Sequence, residues 1–209
     1  MTEARTWGGR SAAQRRTERR DRLIEAALDV WRASGWTAVT IRAVCARTAL
    51  NDRYFYETFA DRDEMLVAAW EYVRDDMLAA LTAVFGEHAG RPLPELIERA
   101  CATVLQRISD DPAAGAILLR HHAGSPALEA CRDRALRLTA DLVVTGAEVY
   151  VRPGTDPLAL RMDAIAAVGG FVELISAWQS GLLDCDADFI TQRLVHLSAT
   201  LGQPYLDSL

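Results

Sequence analysis

TIRAVCARTALNDRYFYETF, residues 40–59, places Tyr54, Phe55, Tyr56 and Phe59 within six positions and sets Arg42, Arg47 and Arg53 among and before them. The stretch reads as two short helices. Thr40 suits the N-cap of the first, because its hydroxyl can accept a free backbone N–H. Val39 before that cap and Val44 after it have the spacing of a hydrophobic staple. A turn follows over 48–51, and Asn51 suits the cap of a second short helix over about 52–58. At helical spacing Leu50, Phe55 and Phe59 face inward, while Arg53, Tyr54 and Tyr56 face the other way. Arginine can bond guanine O6 and N7 bidentately. Tyrosine offers a hydroxyl to phosphate and a ring face to a thymine methyl. Two short helices joined by a four-residue turn, after a longer helix, form a helix-turn-helix unit, whose second helix reads the major groove. On the residues alone, the alternative is a helical hairpin with solvated arginines.

Charge favours the first reading. The 209-residue chain has a formal net charge of −6 and no lysine. Residues 1–62 nevertheless hold twelve arginines against eight acids, and the remaining residues hold eleven against twenty-one. A basic head on an acidic body implies that the head, and not the body, meets a polyanion. Residues 10–22, RSAAQRRTERRDR, read as a basic arm whose phosphate contacts would steepen salt dependence; the alternative is a solvated tail paired with Glu18 and Asp21.

All remaining segments have helical periodicity, and no alternating strand pattern exceeds four residues. The first ~15 residues, with Trp7, Gly8 and Gly9, read as flexible. A first helix is expected over about 17–34, with Gly35 as its stop. Asp61 is the expected cap of a long fourth helix, with Glu64 at the capping-box position. Further helices are expected over 92–109, 112–122, 126–150, 157–180 and 187–201. The expected fold is all-α with about nine helices: a basic arm and helix-turn-helix domain over 1–62, then a helical effector-binding and dimerisation domain over 63–209.

The run from Thr40 through Ile41, Arg42, Ala43 and Val44, the Leu50-Asn51 turn, and the run from Phe55 through Tyr56, Glu57, Thr58 and Phe59, followed by Arg62 and Leu66, resemble the TetR (tetracycline-repressor) family of bacterial transcription regulators. The resemblance covers about residues 17–70, with a weaker echo in the glycines, Phe171, Glu173 and Trp178 between Gly169 and Gly181. It implies that Thr40 and Arg42 contact DNA from the second helix. It places Asp52, Arg53, Tyr54 and Tyr56 in or beside the major groove, and Asn51 counts with them among the expected DNA-binding residues. Tyr56 and Thr58 would hold phosphates, and so would Arg62, where lysine is commoner. Arg20 and Arg22 would add backbone or minor-groove contacts. The chain departs from the family where Arg53 and Tyr54 replace small residues, where Thr58 stands for a frequent histidine, and where Phe55 stands for leucine. Asp52 has two readings: an acceptor for cytosine N4, or a first-turn acid favoured by the helix dipole.

Such regulators read two half-sites and must pair. The helix from Pro157 carries Ala164, Ala166, Ala167, Gly169 and Gly170 beside Phe171, Leu174 and Trp178. With Leu194 and Leu197 of the last helix, Ala167, Gly170, Leu174 and Trp178 are the expected homodimer interface, a four-helix bundle; intrachain core is the alternative. A pocket for a small, largely apolar effector is expected near Trp70, Met77, Leu105, His121 and Phe171, although such residues at helical spacing are also plain core. His121 and His122 diverge by about 100° on a helix and cannot easily share one metal.

Enzymatic motifs are missing from the sequence, and Asp163 and Glu173 are too far apart along one helix to form a dyad. Cys45, Cys101, Cys131 and Cys185 match no zinc spacing and read as reduced thiols. No cofactor is expected. With no apolar run of ~18 residues and no signal core, a soluble cytosolic protein is expected. The resulting expectation is a ligand-responsive homodimeric regulator that binds a palindromic operator and acts as a repressor; the alternative is a ligand-free architectural or partner-binding helical DNA-binding protein.

Overall fold

The structure, a computed structural model, describes residues 11–88 and 90–206. Among these residues it has nine α-helices and no strand: α1 Ala12–Ser34, α2 Ile41–Thr48, α3 Asp52–Tyr56, α4 Arg62–Glu87, α5 Leu93–Asp110, α6 Pro112–Leu119, α7 Pro126–Ala147, α8 Pro157–Gln179 and α9 Ala187–Gly202. No helix among them is long and apolar enough to cross a membrane. The chain forms two compact units, Met1–Tyr72 and Val73–Leu209. The break falls within α4, beyond the 62/63 boundary drawn from charge.

The helices start where a side chain can accept an otherwise orphaned N–H. Ser11, Thr40, Asn51, Asp111, Ser125, Asp156 and Asp186 each cap the helix that follows. Asp61 accepts the Glu64 N–H at 2.8 Å, and the Glu64 carboxylate reaches back to the Ala60 N–H. α5 instead starts on proline geometry, with Pro94 in its first turn. At the end of α1, Gly35 adopts φ 81° while its N–H bonds the Trp31 carbonyl at 2.8 Å, a conformation open to glycine at little cost.

The first unit is built on Leu23, Ile24, Ala27, Leu28 and Trp31 of α1, with Val39, Val44, Phe55, Phe59, Met65 and Leu66, all buried. In the second unit, Leu81, Cys101, Val104, Leu105, Ile108, Leu119, Ile175, Ile190 and Leu194 form the main core. Ala140, Ala164 and Val168 pack α7 against α8. Leu93, Leu96, Ala147 and Leu206 close the far end.

Helix boundaries differ from expectation in four places. α1 starts at Ala12, because Ser11 and Gln14 form a reciprocal capping box: Ser11 Oγ accepts the Gln14 N–H at 3.1 Å, and Gln14 Oε1 accepts the Ser11 N–H at 2.7 Å. The arginines at 15, 16, 19, 20 and 22 therefore lie on a helix, whereas the expected flexible lead with Trp7, Gly8, Gly9 and the arginine at 10 lies outside the described residues. α3 ends at Tyr56, α6 at Leu119, and α7 at Ala147, where a 3-10 turn over Glu148–Tyr150 takes over.

Candidate nucleic-acid interface

α2, the turn and α3 are set by local chemistry. Thr40 Oγ1 accepts the Ala43 N–H at 3.1 Å, and Asn51 Oδ1 accepts the Tyr54 N–H at 3.2 Å. Between them, Ala49 takes the left-handed conformation, φ 55°, and Ala49 and Leu50 both return their N–H groups to the Cys45 carbonyl. That arrangement satisfies the end of α2 and turns the chain into α3. Arg22 of α1 donates to the Thr48 carbonyl at 2.8 Å, putting a cation on the C-terminal end of α2.

The aromatic residues divide as expected. Phe55 and Phe59 are fully buried, with ring centroids 5.7 Å apart. Tyr54 and Tyr56 are exposed, Tyr56 the more so at 58%. The guanidinium of Arg19 lies over the Tyr54 ring, 5.1 Å from its centroid, and Arg19 also pairs with Glu57 at 3.7 Å. Glu57 holds Arg53 as well, at 3.1 Å one turn along the helix. Arg53 remains 82% exposed in its side chain. An exposed pair of this kind contributes only ~0.3–0.5 kcal/mol, less than the ~1–3 kcal/mol of a bidentate base contact. Arg53 can therefore leave Glu57 for a base edge at little cost.

The remaining expected contacts fall into two groups. Thr40, Arg42, Asn51, Asp52, Arg53, Tyr54 and Tyr56 are all exposed on α2, the turn and α3. Arg42 makes no hydrogen bond or ion pair within the described residues. Thr58 is half-buried and its hydroxyl donates to the Tyr54 carbonyl at 3.0 Å. Arg62 turns inward: Nε donates to the Val39 carbonyl at 2.5 Å and Nη2 to the Trp36 carbonyl at 2.8 Å, with the guanidinium 5.5 Å from the Trp36 ring centroid. Arg20 likewise covers Phe59, at 5.4 Å. Asp52 lies beside Cys45; burial first, and then this carboxylate, push the Cys45 thiol above its ordinary range. Arg19 has no place in the expected contact set. Its position one turn before Leu23 on an arginine-rich helix is the signal that could have found it.

The second unit holds a partly open cavity of about 170 Å³. Its walls come from α4 (Leu81, Phe85), α5 (Ile97, Cys101, Val104), α7, α8 (Ala164, Ala167, Val168, Phe171) and the end of α9. Of the five expected pocket residues, only Phe171 lines it. Trp70 is buried in the first unit, Leu105 is core, and Met77 packs against that core. His121 is exposed, within 3.6 Å of Glu129 and 3.9 Å of Glu173. Its neighbour His122 is buried, and burial lowers its pKa. The cysteines are free, and burial pushes the Cys101 thiol up to about 12. No group of three metal-ligating side chains occurs among the described residues.

The expected interface residues also separate. Leu194 is core, Leu174 and Trp178 pack against that core, and the Trp178 indole N–H donates to the Cys185 carbonyl at 2.8 Å. Ala167 faces the cavity. Gly170 and Leu197 are exposed. Earlier on α8, eight and twelve residues before Gly170, Met162 and Leu158 are 61% and 65% exposed.

Residues 23–69 match the family model described as bacterial regulatory proteins, tetR family. A search of curated proteins by sequence finds no match. Among solved structures, the chain is similar to a tetR-family transcriptional regulator from Streptomyces coelicolor, with a TM-score of 0.69 and 21% identity over 90% of this chain and 83% of that one. It is also similar to a transcriptional regulator from Rhodococcus sp. Rha1, TM-score 0.64 and 22% identity over 89% and 97%. A third is the fatty acid degradation regulator from Bacillus halodurans, TM-score 0.64 and 15% identity over 88% and 95%. At such identities these likenesses show the fold alone. Residues 23–69 thus match the DNA-binding domain of the tetR family of bacterial regulatory proteins, and the chain shares its fold with transcriptional regulators of known structure.

Proposed function

We propose that the protein is a homodimeric repressor that leaves a palindromic operator when a small, largely apolar effector enters the cavity of its second unit. The observation that carries the reading is α4. This one helix starts at Arg62, which is bonded to the carbonyls of Trp36 and Val39, and its later turns supply Leu81 and Phe85 to the cavity wall. A molecule that repacks Leu81 and Phe85 acts on the helix that anchors the DNA-reading unit. Such a molecule works only through different affinities for the DNA-competent and DNA-incompetent conformations.

A second copy of the chain is the occupant proposed for the exposed α8 and α9 face, with Leu158, Met162, Gly170, Phe189 and Leu197. Two recognition helices are needed to read two half-sites about one DNA turn apart. Arg42 of α2 with Arg53, Tyr54 and Tyr56 of α3 would make the base and phosphate contacts.

The test is selection of bound duplexes from a random pool, followed by anisotropy titration of the selected site and sedimentation of the free protein. Expected are a two-fold symmetric site, a dimer, and release by cavity ligands. An asymmetric site bound by a monomer would defeat the dimeric reading. A selected site that no cavity-binding compound releases would leave a ligand-free DNA-binding protein.

A further inference from the structure

The cavity lining is mostly apolar, with Thr139, Ser198, Asp163 and Tyr205 as its polar side chains. Asp163 of α8 and Tyr205, in the segment after α9, face the space lined elsewhere by Leu81, Phe85, Val104 and Phe171. Asp163 is the only formally charged residue in the lining among the described residues; no arginine or histidine joins it. Tyr205 Oη donates to Asp163 Oδ2 at 2.6 Å. This bond, followed by burial and the Asp163 charge, raises the Tyr205 pKa, so the phenol stays neutral and keeps donating. The other carboxylate oxygen, Oδ1, accepts no hydrogen bond from a described residue. Tyr205 is itself fixed in place, because its carbonyl accepts the Arg152 N–H at 2.8 Å beside a Val151–Leu206 bridge.

Asp163 is half-buried and its Oδ1 stays accessible, so a ligand that covers it must supply a donor in place of water. One oxygen is met by the phenol. We infer that the other selects the ligand: the cavity takes a compact apolar molecule bearing an ammonium group or another strong hydrogen-bond donor, which bonds Asp163, and it rejects carboxylates. The inference deepens the effector-site reading above and rests on it. The size of the apolar part follows from the volume. An apolar cavity of ~150 Å³ holds a benzene molecule, and about 170 Å³ holds a ring with a short chain. The polar end then follows from charge. An ammonium adds an ion pair to its hydrogen bond with the carboxylate where an alcohol supplies the hydrogen bond alone, and a carboxylate would face a like charge with no cation in the lining.

The experiment is calorimetric titration of the full chain with 2-phenylethylamine, 2-phenylethanol and 3-phenylpropionate, repeated on Asp163→Asn and Tyr205→Phe. The amine should bind wild type at least about tenfold tighter than the alcohol, the difference made by pairing two charges rather than one, and the acid should bind weakest. Asp163→Asn should erase the amine preference, weakening the amine far more than the alcohol, whereas Tyr205→Phe should keep the preference. An acid that binds as tightly as the amine, or a preference that survives Asp163→Asn, overturns the inference while the effector site stands. If none of the three binds, the effector-site reading falls and takes this one with it. Should Asp163→Asn fail to fold, as judged by its helical circular dichroism melt, the wild-type ranking decides alone.

Discussion

Replacing Arg62 separates two roles that one cation could play. As a phosphate ligand, Arg62 would contribute to DNA affinity and little to folding. In the structure its guanidinium instead bridges two carbonyls of the segment between α1 and α2. It donates to Val39 at 2.5 Å and to Trp36 at 2.8 Å, covers the Trp36 ring, and reaches Asp63 only at 3.7 Å. Hydrogen bonds to a charged group contribute ~1.5–3 kcal/mol each when well buried. The Arg62 side chain is 30% exposed, so about 1 kcal/mol per bond is a fairer figure. Stacking on Trp36 adds ~0.5–1 kcal/mol.

Arg62→Ala should therefore destabilise the first unit by about 2–3 kcal/mol. At ~4–8 °C per kcal/mol for a domain of that size, its melting transition should fall on the order of 10–20 °C. Arg62→Lys should recover little, because an ammonium cannot span two carbonyls as a planar fork does. The assay is thermal melting of both variants by circular dichroism, beside anisotropy titrations across salt concentration at a temperature where both remain folded. An unchanged melting transition, with a salt slope reduced by about 1 and restored by lysine, would refute the structural role and return Arg62 to the DNA backbone.

Arg53→Ala should cost ~1–3 kcal/mol at one operator position and relax specificity there; a panel of single-base operator variants measures it, and a uniform loss across the panel would mark a phosphate contact instead. Ala49→Gly should stabilise the first unit by ~1 kcal/mol, since glycine adopts φ 55° without the Cβ penalty, and urea melts would detect the gain. In Gly146→Ala the new Cβ would lie 2.6 Å from the Phe85 ring. Phe85 should then be driven toward the cavity it lines, weakening amine and alcohol binding alike by calorimetry while operator affinity without ligand is kept. His122 has a folded pKa lowered by burial, so the unfolded chain binds more protons. Stability should be complete above the unfolded value of ~6.5 and decline as pH falls below it toward the folded pKa; chemical melts of wild type and His122→Phe between pH 5 and 7.5 should show a shallower slope in the variant.

What the sequence reveals depends on how far apart the partners are. Caps at Thr40, Asn51 and Asp186 are one-turn interactions, so they and the helices they open can be read from the residues alone. The inward placement of Phe55 and Phe59 follows from spacing within five residues. The start of α1 was also readable, in the Ser11-x-x-Gln14 box, but the arginine density of residues 10–22 suggests a solvated arm more strongly than it suggests a helix. The pocket is a different matter. Met77, Leu105 and Phe171 are all apolar at helical spacing, and whether each meets a neighbour or a void depends on the distances among several helices. Only Phe171 meets the void. One local signal existed: Asp163, Ala164, Ala167, Val168 and Phe171 share a face of α8, so an acid there sits on an otherwise apolar stripe.

The same distinction explains why a charge count does not by itself give the contacts of the head. An arginine-only chain uses one side chain for two tasks, since a guanidinium offers five donors in a plane and no acceptor. Within the described part of the head, Arg22 and Arg62 donate to backbone carbonyls, Arg47 pairs with Asp29 at 3.2 Å, and Arg20 covers Phe59. These cations assemble the surface on which Arg42 and Arg53 stand exposed. A positive balance can thus identify the end of the chain that meets DNA. Because several arginines are engaged within the head, the salt slope of operator binding should follow the exposed arginines rather than the full count.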